Sequence, residues 1–528
     1  MDRYDVIIVS TGAGGGTLAH RLAPSGQRIL LLERGGYLPR ERENWDSEEV
    51  FGRERYVTTE LWYVKRRVAF CPHAQHFVGG NTKVYGGVRF RLRERDFQEV
   101  EHYGGVFPAW PISYSELEPY YVQAERLYLV HGQAGEDPTE PPRSGPFPYP
   151  AVSHKPRLQQ LHDDLLSAGH RPVHLSVGVV ALDESDPETS RCVRCVRFDG
   201  FPCLTDGKAD AHVVCVRPAL QHRNVTLRTH ARVTRLEVDS SGRSVDQVVA
   251  DRAGRTEVFS ADVVVVSCGA VVSCGAVNSA ALLLRSASAG HPNGLANSSD
   301  VVGRHYMAHL NSAVIAISRT PNETRFQKTL ELNDFYWGAA DADFPLGHIQ
   351  MLGKSDRTIL RGSASRFAPG LALDYIARYA LDFWLTAEDL PHPDNRVTID
   401  RRANIHLAKT YPNTEPHRRL LAKLKSLLGP LGCHQMTIPR WSVLSQQIPL
   451  AGIAHNCGTI RFGTDPQRSA LDVNCKAHDV DNLYVVDTSF FPSSSAVNPS
   501  LTAIANALRV GYHLLERLGH PVTASAVV

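Results

Sequence analysis

The chain has 528 residues, 43% of them hydrophobic and 21% charged, a length beyond one ordinary hydrophobic core and a composition that excludes disorder. Its 57 basic and 55 acidic side chains leave a net charge of +2, which argues against a nucleic-acid partner and for a neutral or mildly polar small molecule. No apolar stretch approaches the roughly 20 residues of a membrane span and no leader pattern precedes the first strand, so a cytoplasmic protein with reduced thiols among its ten cysteines is expected.

In chain order, Asp5 to Val9 is a short β-branched apolar run that ends at Ser10-Thr11-Gly12-Ala13-Gly14-Gly15-Gly16. Thr17 to Ala23 predicts a helix stopped by Pro24-Ser25-Gly26, and Arg28 to Leu32 predicts a second buried strand closed by Glu33-Arg34. Strand, glycine turn, helix and strand make a βαβ unit of a parallel sheet. Residues 40 to 150 are polar and aperiodic apart from a glycine-dense island, Val78 to Gly87. Asn224 to Glu237 and Asp246 to Ala250 predict strands of a meander, Ala261 to Val266 another buried parallel strand, and Asn278 to Arg285 a helix. A helix is expected near Glu415 to Leu428, a strand at Leu483 to Val486, and a long helix from about Pro499 to Leu518. Val265 to Ala270 is copied in tandem as Val271 to Ala276, a local duplication rather than a solenoid period.

The glycine turn carries the first chemistry. A pyrophosphate needs close backbone approach, and a helix start offers it free N–H groups and a positive dipole end. Gly12 and Gly15 fill the second and third positions of G-x-G-x-x-G, with Ala13 and Gly14 between them, while Ser10 stands in the first. Glu33, followed by Arg34, is placed for adenosine ribose hydroxyls. This pattern predicts dinucleotide binding without separating FAD from NAD. Ser10 brings a Cβ and a hydroxyl to a tight turn, at a cost of about 1 kcal/mol if φ is unfavourable.

Four dispersed segments resemble the glucose–methanol–choline (GMC) oxidoreductase family in order and spacing. They are the N-terminal turn, VGGNTKVYGG, CGAVNSAALLLRS, and the pair HNCGTIRFGTDP and VVDTSFFPSSSAVNPSLT. The resemblance implies an α/β fold: a Rossmann-like FAD-binding domain built from discontinuous segments, plus an α+β substrate domain with an antiparallel sheet. The expected division is 1–110, 201–310 and 451–528 for FAD, 111–200 for a lid or substrate part, and 311–450 for substrate.

The resemblance further implies removal of a hydride from a CH–OH group of a small alcohol or sugar-like substrate. His455, in the H-x-x-G-T motif, takes the family's base position, and Asn498 matches the second member of a His–His or His–Asn pair. A neutral imidazole suits removal of the hydroxyl proton, and an amide suits holding the oxygen. Asn498 alone is also a candidate helix cap ahead of Pro499 and Ser500. Gly79, Gly80, Asn81 and Thr82 match the segment along the flavin, Asp487 the acidic residue near ribityl and pyrophosphate, and Val233 a backbone contact to adenine. Val84 and Tyr85 stand where some relatives carry a flavin-linked His, so noncovalent FAD is expected.

Cys192-x2-Cys195-x7-Cys203 followed by Cys215 has metal-like spacing, but relatives tend to carry a Cys where Phe198 stands, so thiols or a local disulfide are expected and no metal. Trp337 and Trp384 are expected to pack rather than stack on a sugar. The alternatives are a GMC-like lyase with structural FAD, or an impaired relative whose FAD site is weakened by Ser10 and the duplication. The electron acceptor (oxygen, quinone or protein) stays open.

Overall fold

The computed structural model describes residues 2–64, 68–186, 188–268, 275–362, 368–440, 450–452 and 455–520, without the side chains of 435–440 and 451. The expected βαβ unit forms as β1 (Asp2–Val9), α1 (Ala13–Leu22) and β2 (Ile29–Leu32). β1 and β2 run parallel, Val6 opposite Ile29 through Val9 opposite Leu32. All eight of these side chains are buried, as a parallel sheet covered on both faces requires.

The first sheet has seven strands, in the order Val225–Arg228, β2, β1, Arg255–Val266, Val245–Arg252 and Ala231–Val238, with Leu483–Val485 also paired to Arg255–Val266. The stretch 224–237 is therefore two strands with different roles. Val225–Arg228 extends the parallel sheet beside β2, and only Ala231–Val238 enters the meander. His230, at φ +56°, turns the chain between them.

Arg255–Val266 pairs with β1 on one edge and serves two further partners along the other. Its first half pairs antiparallel with Val245–Arg252, and Val264–Val266 pair in parallel with Leu483–Val485. The hexapeptide duplication begins at Val265, within the end of this strand, and its residues 269–274 lie outside the described residues. The helix Gly275–Arg285 resumes directly after them. Helices Tyr114–Leu127 and Ser500–Arg517 join the same core, linked by the hydroxyls of Tyr121 and Thr502 at 2.7 Å.

The second sheet has six strands, all antiparallel, in the order Cys433–Arg440, Leu310–Ser318, Ala380–Ala387, His348–Met351, Leu330–Leu332 and Pro172–His174. Alternation assigns its faces. Ile349, Met351, Phe383 and Leu385 pack into a leucine-rich core with helices Pro156–Ser167 and Thr414–Leu428. Gln350 and Trp384, paired across neighbouring strands, point the other way, toward a cavity. This is the α/β fold with an added antiparallel sheet that the motifs imply.

Candidate active site

Ser10 ends β1 in a left-handed conformation, φ +79°, where glycine would be unstrained. Gly12 caps α1, and Ala13 is its buried first residue. A Cβ on Gly14 would lie 2.2 Å from the Val486 carbonyl oxygen, and one on Gly15 would lie 2.3 Å from that of Ser10. Glu33, just past β2, is buried and accepts from Thr11 N at 3.1 Å, Thr11 Oγ1 at 2.7 Å, Gly35 N at 3.1 Å and Ser10 Oγ at 3.3 Å. Burial pushes its carboxyl pKa up, against the pull of those donors. Arg34 pairs with Glu60 at 3.1 Å. Ser10, Glu33, Arg34, Val233 and Cys268 line one small cavity of 70 Å³.

Gly79 and Gly80 both have positive φ, +94° and +57°. Their N–H groups are spent within the protein, Gly79 on Thr11 Oγ1 at 3.0 Å and Gly80 on the Phe77 carbonyl at 2.7 Å. Asn81 Oδ1 accepts from Gln75 N at 2.8 Å, and the Thr82 hydroxyl donates to the Gly79 carbonyl while accepting from Ala211 N at 3.0 Å. This segment thus braces the glycine turn, and the residues that follow it, Val84, Tyr85 and Gly86, face the larger cavity.

That cavity measures 790 Å³ and has His455, Asn498, Gln350 and Trp384 in its wall. Asn498 Nδ2 lies 3.3 Å from His455 Nε2, and its Oδ1 accepts from Gln350 Nε2 at 2.9 Å. Its amide is engaged here, so the capping alternative gives way: the helix Ser500–Arg517 has no side-chain cap bond. Pro499 precedes that helix, and the Ser500 hydroxyl donates to the Val88 carbonyl at 3.2 Å. Burial drives the His455 pKa well below the ordinary imidazole value, keeping the ring neutral. Asp487 is buried, accepts from Ser489 N at 3.0 Å, and takes short hydroxyl bonds from Ser279 and Ser489.

Two residues escaped the sequence argument. His309 lies behind His455, ring to ring, Nδ1 to Nδ1 at 3.0 Å. Gln350 lines the cavity with a buried Oε1 that has no partner among the described residues. Trp384 packs against the first core as expected, and because Gln350 and Trp384 share the opposite face of the sheet from Ile349 and Leu385 it also lines the cavity. Trp337 does pack, beneath the Arg95 guanidinium at 4.8 Å and against Tyr336.

Cys192, Cys195, Cys203 and Cys215 are free thiols, and Cys215 sits apart, against Tyr128 and Thr17. Among the described residues no cluster of three or more His, Cys, Asp or Glu is placed to hold a metal.

A parallel sheet with its glycine turn at one cavity, and a neutral histidine and an amide in the wall of a second that shares Gln75 with it, is the arrangement of a dinucleotide-dependent oxidoreductase. The chain belongs to the GMC oxidoreductase family, whose N-terminal model matches residues 4–311 and whose C-terminal model matches 441–507. It is 30% identical to 6'''-hydroxyparomomycin C oxidase of Streptomyces lividus, over 98% of this chain and 92% of the relative. It is 28% identical to paromamine 6'-oxidase of Streptomyces fradiae, over 96% and 90% of the two chains. Its fold matches that of pyridoxine 4-oxidase from Mesorbium loti at a TM-score of 0.67, with 20% identity over 97% of this chain and 99% of that one.

Family membership brings FAD, and the residues fit it. The two cavities share Gln75, whose buried Oε1 has no partner among the described residues. Gly14 leaves the α1 start no room for a side chain. No helix among the described residues is long and apolar enough to cross a membrane.

Proposed function

We propose that this chain oxidises a CH–OH group of an amino sugar, with His455 as base and Asn498 as the partner that holds the substrate oxygen. The observation that carries the proposal is the contact between His455 Nε2 and Asn498 Nδ2, 3.3 Å apart in the wall of the 790 Å³ cavity. Bound noncovalently, FAD would supply the hydride acceptor, held by the Ser10–Gly15 turn and Glu33 at its adenosine end, with Gly79–Thr82 and Asp487 bracing the middle. The FAD part would be made from 1–110, 201–310 and 451–528, with 111–200 as a lid or substrate part and 311–450 as the substrate-binding domain.

A neutral His455 takes the hydroxyl proton at Nε2, which makes the carbon a better hydride donor. Asn498 keeps the oxygen in line with that nitrogen. Gln350 Oε1 accepts from a neighbouring hydroxyl, and the Trp384 indole gives a sugar ring an apolar face. Glu48, exposed at the rim of the cavity, offers a carboxylate to an ammonium group. The two Streptomyces relatives are oxidases, one of 6'''-hydroxyparomomycin C and one of paromamine, which supports the amino-sugar class.

The test is anaerobic mixing of the FAD-loaded protein with aminoglycosides, neutral sugars and simple diols. Bleaching of the flavin bands by the amino sugars at the lowest concentrations is the expected result. Product formation with no bleaching would point to the lyase alternative, and no flavin absorbance after FAD addition to an impaired relative.

A further inference from the structure

We infer that His309 is a positioning residue that fixes the tautomer of His455, so that the nitrogen facing the cavity is always the unprotonated one. The inference rests on His455 being the base.

The geometry starts from a group that can only accept. His309 Nε2 lies 3.1 Å from the backbone carbonyl oxygen of Ser494, so this nitrogen carries the hydrogen. Burial holds the His309 pKa down to about 4, so the ring is neutral and its Nδ1 is a lone pair. The 3.0 Å contact between His309 Nδ1 and His455 Nδ1 is then a hydrogen bond only if His455 donates from Nδ1. A neutral His455 with its hydrogen on Nδ1 has a bare Nε2, and Asn498 Nδ2 points a donor at it. Gln350 closes the chain from the other end by donating to Asn498 Oδ1. Four hydrogen bonds run in one direction from Gln350 through Asn498, His455 and His309 to Ser494.

The backbone enforces the meeting. Met307–Ala308 pairs antiparallel with Asn456–Cys457, and the next rung brings His309 N to the His455 carbonyl at 3.3 Å. His309 is fully enclosed and does not line the cavity, so it reaches substrate only through His455. The groups around the pair are Lys328, which is tied to Asp199 at 3.1 Å, and His348, whose pKa burial drives well down. Lys328 carries only donors, and His348 Nδ1 is engaged with Asn333 Oδ1 at 2.7 Å. When His455 accepts the substrate proton at Nε2, its positive ring keeps donating to His309 Nδ1, a charge-assisted bond that steadies the cation.

Two amides separate this role from packing. In His309→Asn the carboxamide sits where Nδ1 was and can still accept from His455. In His309→Gln the amide reaches the Nε2 position, keeps the Ser494 contact and leaves His455 Nδ1 facing a methylene. Both are read as FAD-loaded protein by anaerobic flavin reduction against pH.

His309→Asn is expected within about tenfold of the parent and with the same acidic limb. His309→Gln is expected to lose roughly 100-fold in rate, with little change in KM and its acidic limb moved to lower pH. Equal rates for the two variants, or a His309→Gln profile with an unmoved limb, would overturn the inference. His455→Ala tests the underlying assignment separately. If that variant still bleaches, the base is elsewhere; if it stays yellow while His309→Gln is unaffected, only the role of His309 falls.

Discussion

Ser10 and Glu33 close the ends of neighbouring parallel strands, hydroxyl to carboxylate at 3.3 Å, and Ser10 makes this bond from a left-handed backbone. The contact returns part of what the conformation costs. Glu33 keeps two donors from Thr11 and one from Gly35, so the Ser10 hydroxyl is the least necessary of its four.

Ser10→Gly is therefore expected to stabilise the protein by about 1 kcal/mol, through relief of φ +79°. Urea unfolding with and without FAD measures it. A lower midpoint in the variant would show that the bond to Glu33 outweighs the strain.

Gly14→Ala is expected to cost about 3 kcal/mol or more, since its Cβ would meet the Val486 carbonyl oxygen at 2.2 Å and backbone cannot swing aside. Gly145→Ala, with nothing within 4 Å, is the control and should change little. FAD content after purification and thermal midpoints compare the two.

Stability should fall as the solution is acidified. Burial holds His76 and His305 to about 3 and His417 to about 4, all below the ordinary imidazole value. Between pH 6.5 and those values the unfolded chain binds protons that the folded chain refuses, so each group removes up to about 1.4 kcal/mol per pH unit. Urea midpoints at pH 7, 6 and 5 should decrease in that order, and a flat series would mean that these rings are solvated.

Glu48→Gln should raise KM for an aminoglycoside by about twofold to fivefold at low salt, with the difference shrinking at high salt, because the carboxylate is exposed and screened. Trp384→Leu should raise KM for ring substrates and leave a small diol unchanged. Steady-state kinetics on both substrate types decides, and an equal loss on the diol would assign Trp384 to packing.

The parallel core was legible because its strands are unbroken apolar runs: Val6–Val9, Ile29–Leu32 and Val263–Val266 are buried on both faces and carry no competing period. Ser500–Arg517 was legible by its apolar spacing. Tyr114–Leu127 was not, since Pro119 and its glutamates blur the pattern. Its sequence signal is the reciprocal cap between Ser113 and Glu116. His309 and Gln350 were beyond reach for a different reason. His309 stands 146 positions from His455, and Gln350 stands 148 from Asn498. Strand register brings the first pair together, and packing of the second sheet against the segment before the last helix brings the second, and neither is written in any local motif.

The strand Arg255–Val266 has a consequence for synthesis at the ribosome. Until Leu483–Val485 has emerged, the far end of that strand presents an apolar row of open amides and carbonyls, the kind of edge that recruits other chains. A nascent chain that already owns its glycine turn thus stays adhesive until the helix Ser500–Arg517 is at hand, and mutations that slow docking of this late segment should appear first as lost yield.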